Sequence, residues 1–129
     1  MDKEKYQVEY LVNASKSILY TCLSTPSGLS EWFADDVNIK DDVYSFFWDG
    51  GEEDARLLTK KREEFVKFKW LESEEDPTDK SFFELRIKID ALTGDTALLV
   101  TDFAEADEVE ESQLLWKSQI DKLRRILGS

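Results

Sequence analysis

The sequence predicts an α+β fold in which a curved antiparallel β-sheet wraps around one long C-terminal helix, with two short helices after the first strand. The segments FVKFKW (65–70) and FFELRIKI (82–89) alternate apolar and charged residues, as strands with one solvated face do. The C-terminal segment instead repeats apolar residues at helical spacing. A sheet with one apolar face and a helix with one apolar stripe each need the surface that the other supplies.

The first strand and first helix are predicted from alternation and capping. YQVEYLV (6–12) alternates apolar and polar residues, which indicates a strand. Asn13 or Ser15 can cap a helix over SKSILYTCL (15–23). The apolar side of that helix is predicted to carry Ile18, Leu19, Cys22 and Leu23.

A short second helix is predicted to begin after Thr25. Thr25 is a suitable N-cap, and Pro26 takes the first helical position, where its missing N–H costs nothing. Asp35 and Asp36 are expected to end this helix, which is too short to be stable alone. Its apolar residues must therefore be held by another part of the fold. These residues are Leu29, Trp32 and Phe33.

The middle of the chain predicts strands and turns. Residues 37–72 show two extended runs separated by a hairpin turn at Asp49-Gly50-Gly51. The charged, proline-containing ESEEDPTDK (72–80) predicts a loop, and Thr93-Gly94-Asp95 predicts another turn. TALLVTDFAE (96–105) predicts a last strand, whose inward face is left open by three contiguous apolar residues.

A long helix is predicted at the C-terminus. Asp107 followed by Glu110 resembles a capping box, and Gly128 is a typical helix terminator. Acidic residues crowd the first turn and basic residues the last, as the helix dipole favours. One apolar stripe, expected to lie against the sheet, is formed by Trp116, Ile120, Leu123 and Leu127.

Composition limits the classes of function. The 129 residues are 41% apolar and 12% aromatic, which predicts one domain over residues 1–129 with large side chains in its core. A net charge of −12 repels nucleic-acid phosphates and anionic membrane surfaces, so neither is an expected partner. No apolar run reaches the roughly 18 residues of a membrane span, and MDKEKYQVEY lacks the apolar middle of a secretory signal.

The residue types also limit the chemistry. The absence of histidine removes Ser-His and Cys-His nucleophiles and imidazole metal ligands. Cys22 is the one cysteine and cannot form an internal disulfide, which suits a reducing cytoplasm. The paired acids lack the spacing of a calcium loop and are expected in solvated turns. No metal or cofactor is therefore predicted.

Four motifs in this order resemble one family. They are NASKSILYTCLSTPSGLSEWFA (13–34), Gly51 followed by the Ala55 strand, FVKFKW ending in tryptophan, and WKSQIDKLRRIL (116–127). Over essentially the whole chain they resemble the START-like (helix-grip, SRPBCC) superfamily, which includes the birch-pollen allergen and polyketide cyclase-like domains. Within it, the chain is most similar to the family named for the activator-of-heat-shock-chaperone-ATPase homology domain.

This resemblance implies a cavity between the sheet and the long helix, with the short helix around Trp32 closing one end of it. The alternative is that Trp32 and Phe33 only pack in the core, with no cavity behind them. Superfamily members bind hydrophobic small molecules or lipids, act as cyclases or dehydratases, or contact chaperones. The function expected first is therefore non-enzymatic binding of a hydrophobic or amphipathic small molecule. The candidate cavity-lining residues are Leu29, Trp32, Phe33, Trp48, Phe68, Trp70, Asp102, Trp116 and Ile120.

A second expected function is a protein-interaction module of the co-chaperone type. Its contacts would come from the acidic surface, from the 72–80 loop, or from exposed apolar residues such as Phe65 and Phe82. The chain is expected to be a monomer or a weak homodimer that pairs through an edge strand.

A third expected function is an enzyme of the cyclase or dehydratase type. Asp102 stands where the family often has a histidine, and apolar surroundings would raise its pKa. The other polar group of such a site would be a buried tyrosine: Tyr10, Tyr20 or Tyr44. The sequence supplies no residue to orient this acid, so no catalytic residue is assigned.

Overall fold

The computed structural model describes residues 3–128, which form one antiparallel sheet, four α-helices and a 3₁₀ turn (Ala106–Glu108). The strands are β1 (Lys3–Val12), β2 (Asp36–Lys40), β3 (Val43–Trp48), β4 (Gly51–Lys61), β5 (Phe65–Trp70), β6 (Phe83–Ile89) and β7 (Thr96–Glu105). The helices are α1 (Lys16–Ser24), α2 (Pro26–Trp32), α3 (Leu71–Glu74) and α4 (Val109–Ile126). The sheet order is β1-β7-β6-β5-β4-β3-β2. The predicted α+β class, with a curved sheet around the C-terminal helix, is confirmed.

The pairing of β1 with β7 settles which side of β7 faces inward. Tyr6 lies opposite Asp102, and Val8 lies opposite Val100. Because strand side chains alternate between faces, the even-numbered residues of both strands share the concave face. Leu98 and Val100 are accordingly fully buried. This choice of face, which the sequence left open, directs Asp102 toward α4.

The segment 37–72 holds four strands instead of the two predicted runs. The additional turns contain Asp41 at φ 57° and Glu63 at φ 62°. A left-handed backbone is uncommon outside glycine, and neither turn contains the glycine that usually signals one. The hairpin predicted at 49–51 is confirmed, with Gly50 at φ 98°.

Helices α1 and α2 are capped as predicted and are fixed to each other. The Ser15 hydroxyl accepts a hydrogen bond from the α1 backbone at 3.2 Å, and the Thr25 hydroxyl accepts one from the Gly28 N–H at 2.9 Å. The Trp32 indole N–H donates to the Cys22 carbonyl oxygen at 2.8 Å. Helix α2 is therefore stabilised by α1 as well as by the core.

Two predictions about helix residues are wrong. Ile18 is 56% exposed, because it lies at the edge of the α1 face that Leu19, Cys22 and Leu23 bury. The capping box does not form: Asp107 lies in the 3₁₀ turn, and no side chain caps α4.

Two predictions about the 72–80 region and its surroundings also need correction. The start of this segment is the short helix α3, whose first turn carries acids that the helix dipole favours. Phe65 and Phe82 are half-buried instead of exposed, because cationic side chains cover their rings. The Arg86 guanidinium lies 4.4 Å from the Phe65 ring centre, and the Lys67 ammonium lies 4.0 Å from that of Phe82.

The predicted stripe of α4 packs against the sheet. Trp116, Ile120 and Leu123 are buried, and Leu127 packs at the edge of the same core. Gly128, at φ 82°, ends the helix as predicted, and its N–H donates to a carbonyl oxygen of the last turn at 3.2 Å. No helix within residues 3–128 is both long enough and apolar enough to cross a membrane.

The contact between α1 and α2 predicts an effect of Gly28→Ala on stability. A Cβ at Gly28 would lie 2.8 Å from the Cys22 Cα and closer still to the Thr21 carbonyl oxygen, so the helices would have to separate. We expect the free energy of unfolding to fall by about 2 kcal/mol in urea denaturation. Gly51→Ala is the control, because nothing lies within 4 Å of its added Cβ. Equal losses in the two variants would contradict this packing.

Candidate functional site

A cavity of about 600 Å³ opens between the concave face of the sheet and α4. Four aromatic side chains form its walls: Phe33 follows α2, Trp48 ends β3, Trp70 ends β5, and Trp116 lies on α4. The other lining residues are Gly51, Glu52, Glu53, Asp102, Ser112, Leu115 and Gln119.

Contacts among the rings hold these walls together. The ring centre of Phe33 lies 5.5 Å from that of Trp48 and 5.6 Å from that of Trp116. The rings of Trp48 and Trp70 are 6.5 Å apart. Separations of this order favour aromatic pairs beyond the area that they bury. The walls are therefore preformed without a ligand.

The backbone carbonyl oxygen of Phe33 also holds the cavity walls together. The Trp48 indole N–H donates to this oxygen at 2.8 Å, and the Gln119 amide N–H donates to it at 3.0 Å. The end of α2, strand β3 and helix α4 therefore meet at one acceptor. This convergence fixes Phe33 at the cavity wall.

Asp102 is the centre of a polar network beside Trp116. Its Oδ2 accepts hydrogen bonds from the Trp116 indole N–H at 2.7 Å and from the Tyr6 hydroxyl at 3.4 Å. Its Oδ1 accepts from the Phe103 N–H at 2.7 Å. The Tyr6 hydroxyl also makes a short hydrogen bond with the Ser112 hydroxyl.

Burial controls the protonation of this network. Burial raises the pKa of Asp102 above its ordinary value, and the hydrogen bonds from Trp116, Phe103 and Tyr6 oppose the rise. Burial, reinforced by the charge of Asp102, also raises the pKa of Tyr6 to about 12. Tyr6 therefore keeps its proton near neutral pH and acts as a donor.

The acids of β4 stand at the cavity mouth. Glu53 lies opposite the buried Phe46, which places it on the concave face of the sheet. Its neighbour Glu52 belongs to the other face of the strand, where a hydrogen bond with Asp54 and the charge of Asp54 raise the pKa of Glu52.

The structure brings five of the nine candidate residues together around the cavity. Leu29, Trp32, Phe68 and Ile120 are instead packed in the core and do not line it. Trp32 is 1% exposed. Helix α2 therefore fills the core with most of its apolar side and borders the cavity only through the adjoining Phe33. The five lining residues are Phe33, Trp48, Trp70, Asp102 and Trp116.

The tyrosine that contacts Asp102 is Tyr6, and the cavity-lining residues do not include Tyr10, Tyr20 or Tyr44. Tyr44 is buried, but its hydroxyl donates to the Ser24 carbonyl oxygen at 2.8 Å and not to Asp102. Pairing of β1 with β7 brings Tyr6 to the acid. Sequence reasoning also missed Ser112, Gln119 and Glu53, which carry no signal beyond their positions on α4 and β4.

A sheet that grips one long helix, with an aromatic cavity between them, defines the helix-grip class of protein. The chain belongs to the START-like superfamily: the model of the START-like superfamily domain matches residues 1–129. No curated protein matches the sequence.

Several solved structures are similar to this chain. A protein of Bacteroides fragilis, solved in solution, is 42% identical over 100% of this chain and 94% of its own, with a TM-score of 0.67. The Aha1 dimer from Colwellia psychrerythraea is 17% identical over 96% of both chains, with a TM-score of 0.79. DynU16, from the dynemicin biosynthetic locus, is 17% identical over 97% of this chain and 47% of its own, with a TM-score of 0.77. The last two similarities establish the fold alone.

The environment of Asp102 predicts how Asp102→Asn changes stability with pH. The folded-state pKa lies above the unfolded value, so the folded protein binds more protons between the two values. The contribution of Asp102 to the free energy of unfolding therefore falls as the pH rises through that interval. We expect the stability of Asp102→Asn relative to the wild type to increase as the pH rises above the ordinary carboxyl pKa, measured by urea denaturation.

Asp79→Asn is the control, because the pKa shift of Asp79 has the opposite sign to that of Asp102. Hydrogen bonds from Ser81, with a further contribution from the Lys3 ammonium, hold the pKa of Asp79 well below its usual range. The stabilisation from Asp79 is therefore lost as the pH falls through the carboxyl range, and this variant should lose relative stability as the pH rises. A flat profile for Asp102→Asn would contradict the burial of its carboxylate.

Proposed function

We propose that this protein binds a hydrophobic or amphipathic small molecule in the cavity between the sheet and α4, without transforming it. The observation that carries the proposal is the cavity itself, with about 600 Å³ of space and four aromatic walls. Small-molecule sites have volumes of about 300–1,000 Å³ and are lined mainly by apolar and aromatic groups, with a few polar groups. The lining here has this composition.

The aromatic walls supply a driving force for binding. Each 100 Å² or so of apolar ligand surface that leaves water contributes about 2.5 kcal/mol. Because ring contacts and the Phe33 carbonyl already hold the walls, little ordering would accompany binding. The similarity to DynU16, from a biosynthetic locus, is in keeping with a small organic ligand.

The contacts of Asp102 support a positioning role over a catalytic one. Both of its oxygens already accept hydrogen bonds from protein groups. The shortest side-chain contact holds the Trp116 indole, a wall of the cavity, at 2.7 Å. In this proposal Asp102 orients the wall, and the ligand is held by the rings.

Trp48→Leu tests the aromatic wall. We expect this variant to bind the uncharged fluorophore 1-aminoanthracene about tenfold more weakly than the wild type, because one ring of the wall is lost. The measurement is a fluorescence titration with the fluorophore excited outside the tryptophan band.

Phe65→Leu is the matched control. It also replaces a half-buried ring by leucine, but on the convex face beneath Arg86. We expect its affinity for 1-aminoanthracene to equal that of the wild type. The proposed function fails if the wild type shows no saturable binding, or if both variants lose affinity equally.

A further inference from the structure

We infer that the cavity selects ligands that carry a positive charge, such as an ammonium group attached to an apolar body. This inference rests on the proposed function and specifies the chemical class of its ligand. The observations behind it are a carboxylate that lines the cavity together with two indole rings, the absence of a lining lysine or arginine within residues 3–128, and the sign of the remaining cavity charges.

The position of Glu53 follows from the register of β4. On the concave face of this strand, Gly51 lies opposite Trp48, and Ala55 lies opposite Trp70. Glu53 lies between Gly51 and Ala55 on the same face. Because its two strand neighbours are small, they leave space around its carboxylate. Strand β4 runs between β3 and β5, so Glu53 lies diagonal to Trp48 on one side and to Trp70 on the other.

The indoles and the carboxylate attract the same kind of group. The face of an aromatic ring carries negative potential and attracts a cation within about 6 Å of its centre. Trp48 and Trp70, with their ring centres 6.5 Å apart, line the same cavity as Glu53. A cation bound in this cavity would therefore meet both the indole rings and the carboxylate.

Within residues 3–128, the Glu53 side chain makes no hydrogen bond or ion pair. The convex face of β4 differs, because Arg56 pairs there with Glu74 at 2.8 Å and with Asp42 at 3.2 Å. In the described part of the chain, no lysine or arginine lines the cavity. The negative charge of Glu53 is therefore left for a ligand to match.

The same arrangement disfavours anions. A ligand carboxylate or sulfate would meet the carboxylates of Glu53 and Asp102, and the lining formed by residues 3–128 contains no lysine or arginine to compensate. The net charge of −12 adds a long-range repulsion that salt screens. Fatty acids, although hydrophobic, are therefore predicted to be poor ligands, and amine-bearing amphiphiles are predicted to be good ones.

Three compounds with one naphthalene skeleton test this preference. They are 2-(1-naphthyl)ethylamine, which is cationic at neutral pH, the uncharged 2-(1-naphthyl)ethanol, and the anionic 1-naphthaleneacetate. By isothermal titration calorimetry at low salt, we expect the amine to bind about tenfold more tightly than the alcohol, and the acetate to bind most weakly. Added salt should reduce the differences in affinity among the three compounds.

Two charge variants locate the source of the preference. Glu53→Gln should lower the affinity ratio of amine to alcohol several-fold. Because Glu53 is exposed, this variant is expected to fold normally. Glu9→Gln is the matched control: it removes the same charge from the opposite face of the sheet, where Glu9 lies 3.8 Å from Lys88. It should retain the wild-type ratio.

The outcomes separate this inference from the proposed function. Equal binding of all three compounds, or an equal loss of preference in both variants, would overturn the inference and leave the proposed function standing. Binding of none of the three, together with none of 1-aminoanthracene, would overturn both.

Discussion

The Trp116 side chain joins α4 to the sheet through two different contacts, and the rest of the site depends on them. Its N–H donates to Asp102 at 2.7 Å, and its ring packs against Phe33 with centres 5.6 Å apart. The first contact fixes the helix against β7, and the second fixes it against the end of α2. The buried Ile120 and Leu123 continue the same seam. Contacts within the protein therefore fix the separation of helix and sheet at Trp116 without a ligand.

Holding Trp116 in this way places a carboxylate in poorly solvated surroundings. Burial of Asp102 raises its pKa, and its three hydrogen-bond donors offset only part of that effect. An apolar residue at this position could pack, but it could not accept the indole N–H, which would then be buried without a partner. The polar network is thus best understood as the means by which one rigid wall is oriented.

The sequence was informative where periodicity determines structure. Alternation in β5 and β6 and the stripe from Trp116 to Leu123 predicted the sheet, the helix and their contact. Periodicity says little about which strands pair, so the partnership of Tyr6 with Asp102, distant in the chain, could not be predicted from it. The turns at Asp41 and Glu63 were missed for a local reason: ordinary acidic residues adopt a backbone conformation usually signalled by glycine.

The division of the concave face into a filled and an open part follows from side-chain size. Where Trp32, Phe68 and Leu29 point inward, their volume fills the space under the sheet, and for that reason they do not line the cavity. At the other end, β4 offers only Gly51 and Ala55 beside Glu53, and Gly51 and Glu53 border the cavity. A carboxylate there contributes nothing to core packing and has no partner within residues 3–128. A neutral apolar ligand that covered this carboxylate would remove its hydration without replacing it. A cationic ligand would replace the lost hydration with an ion pair.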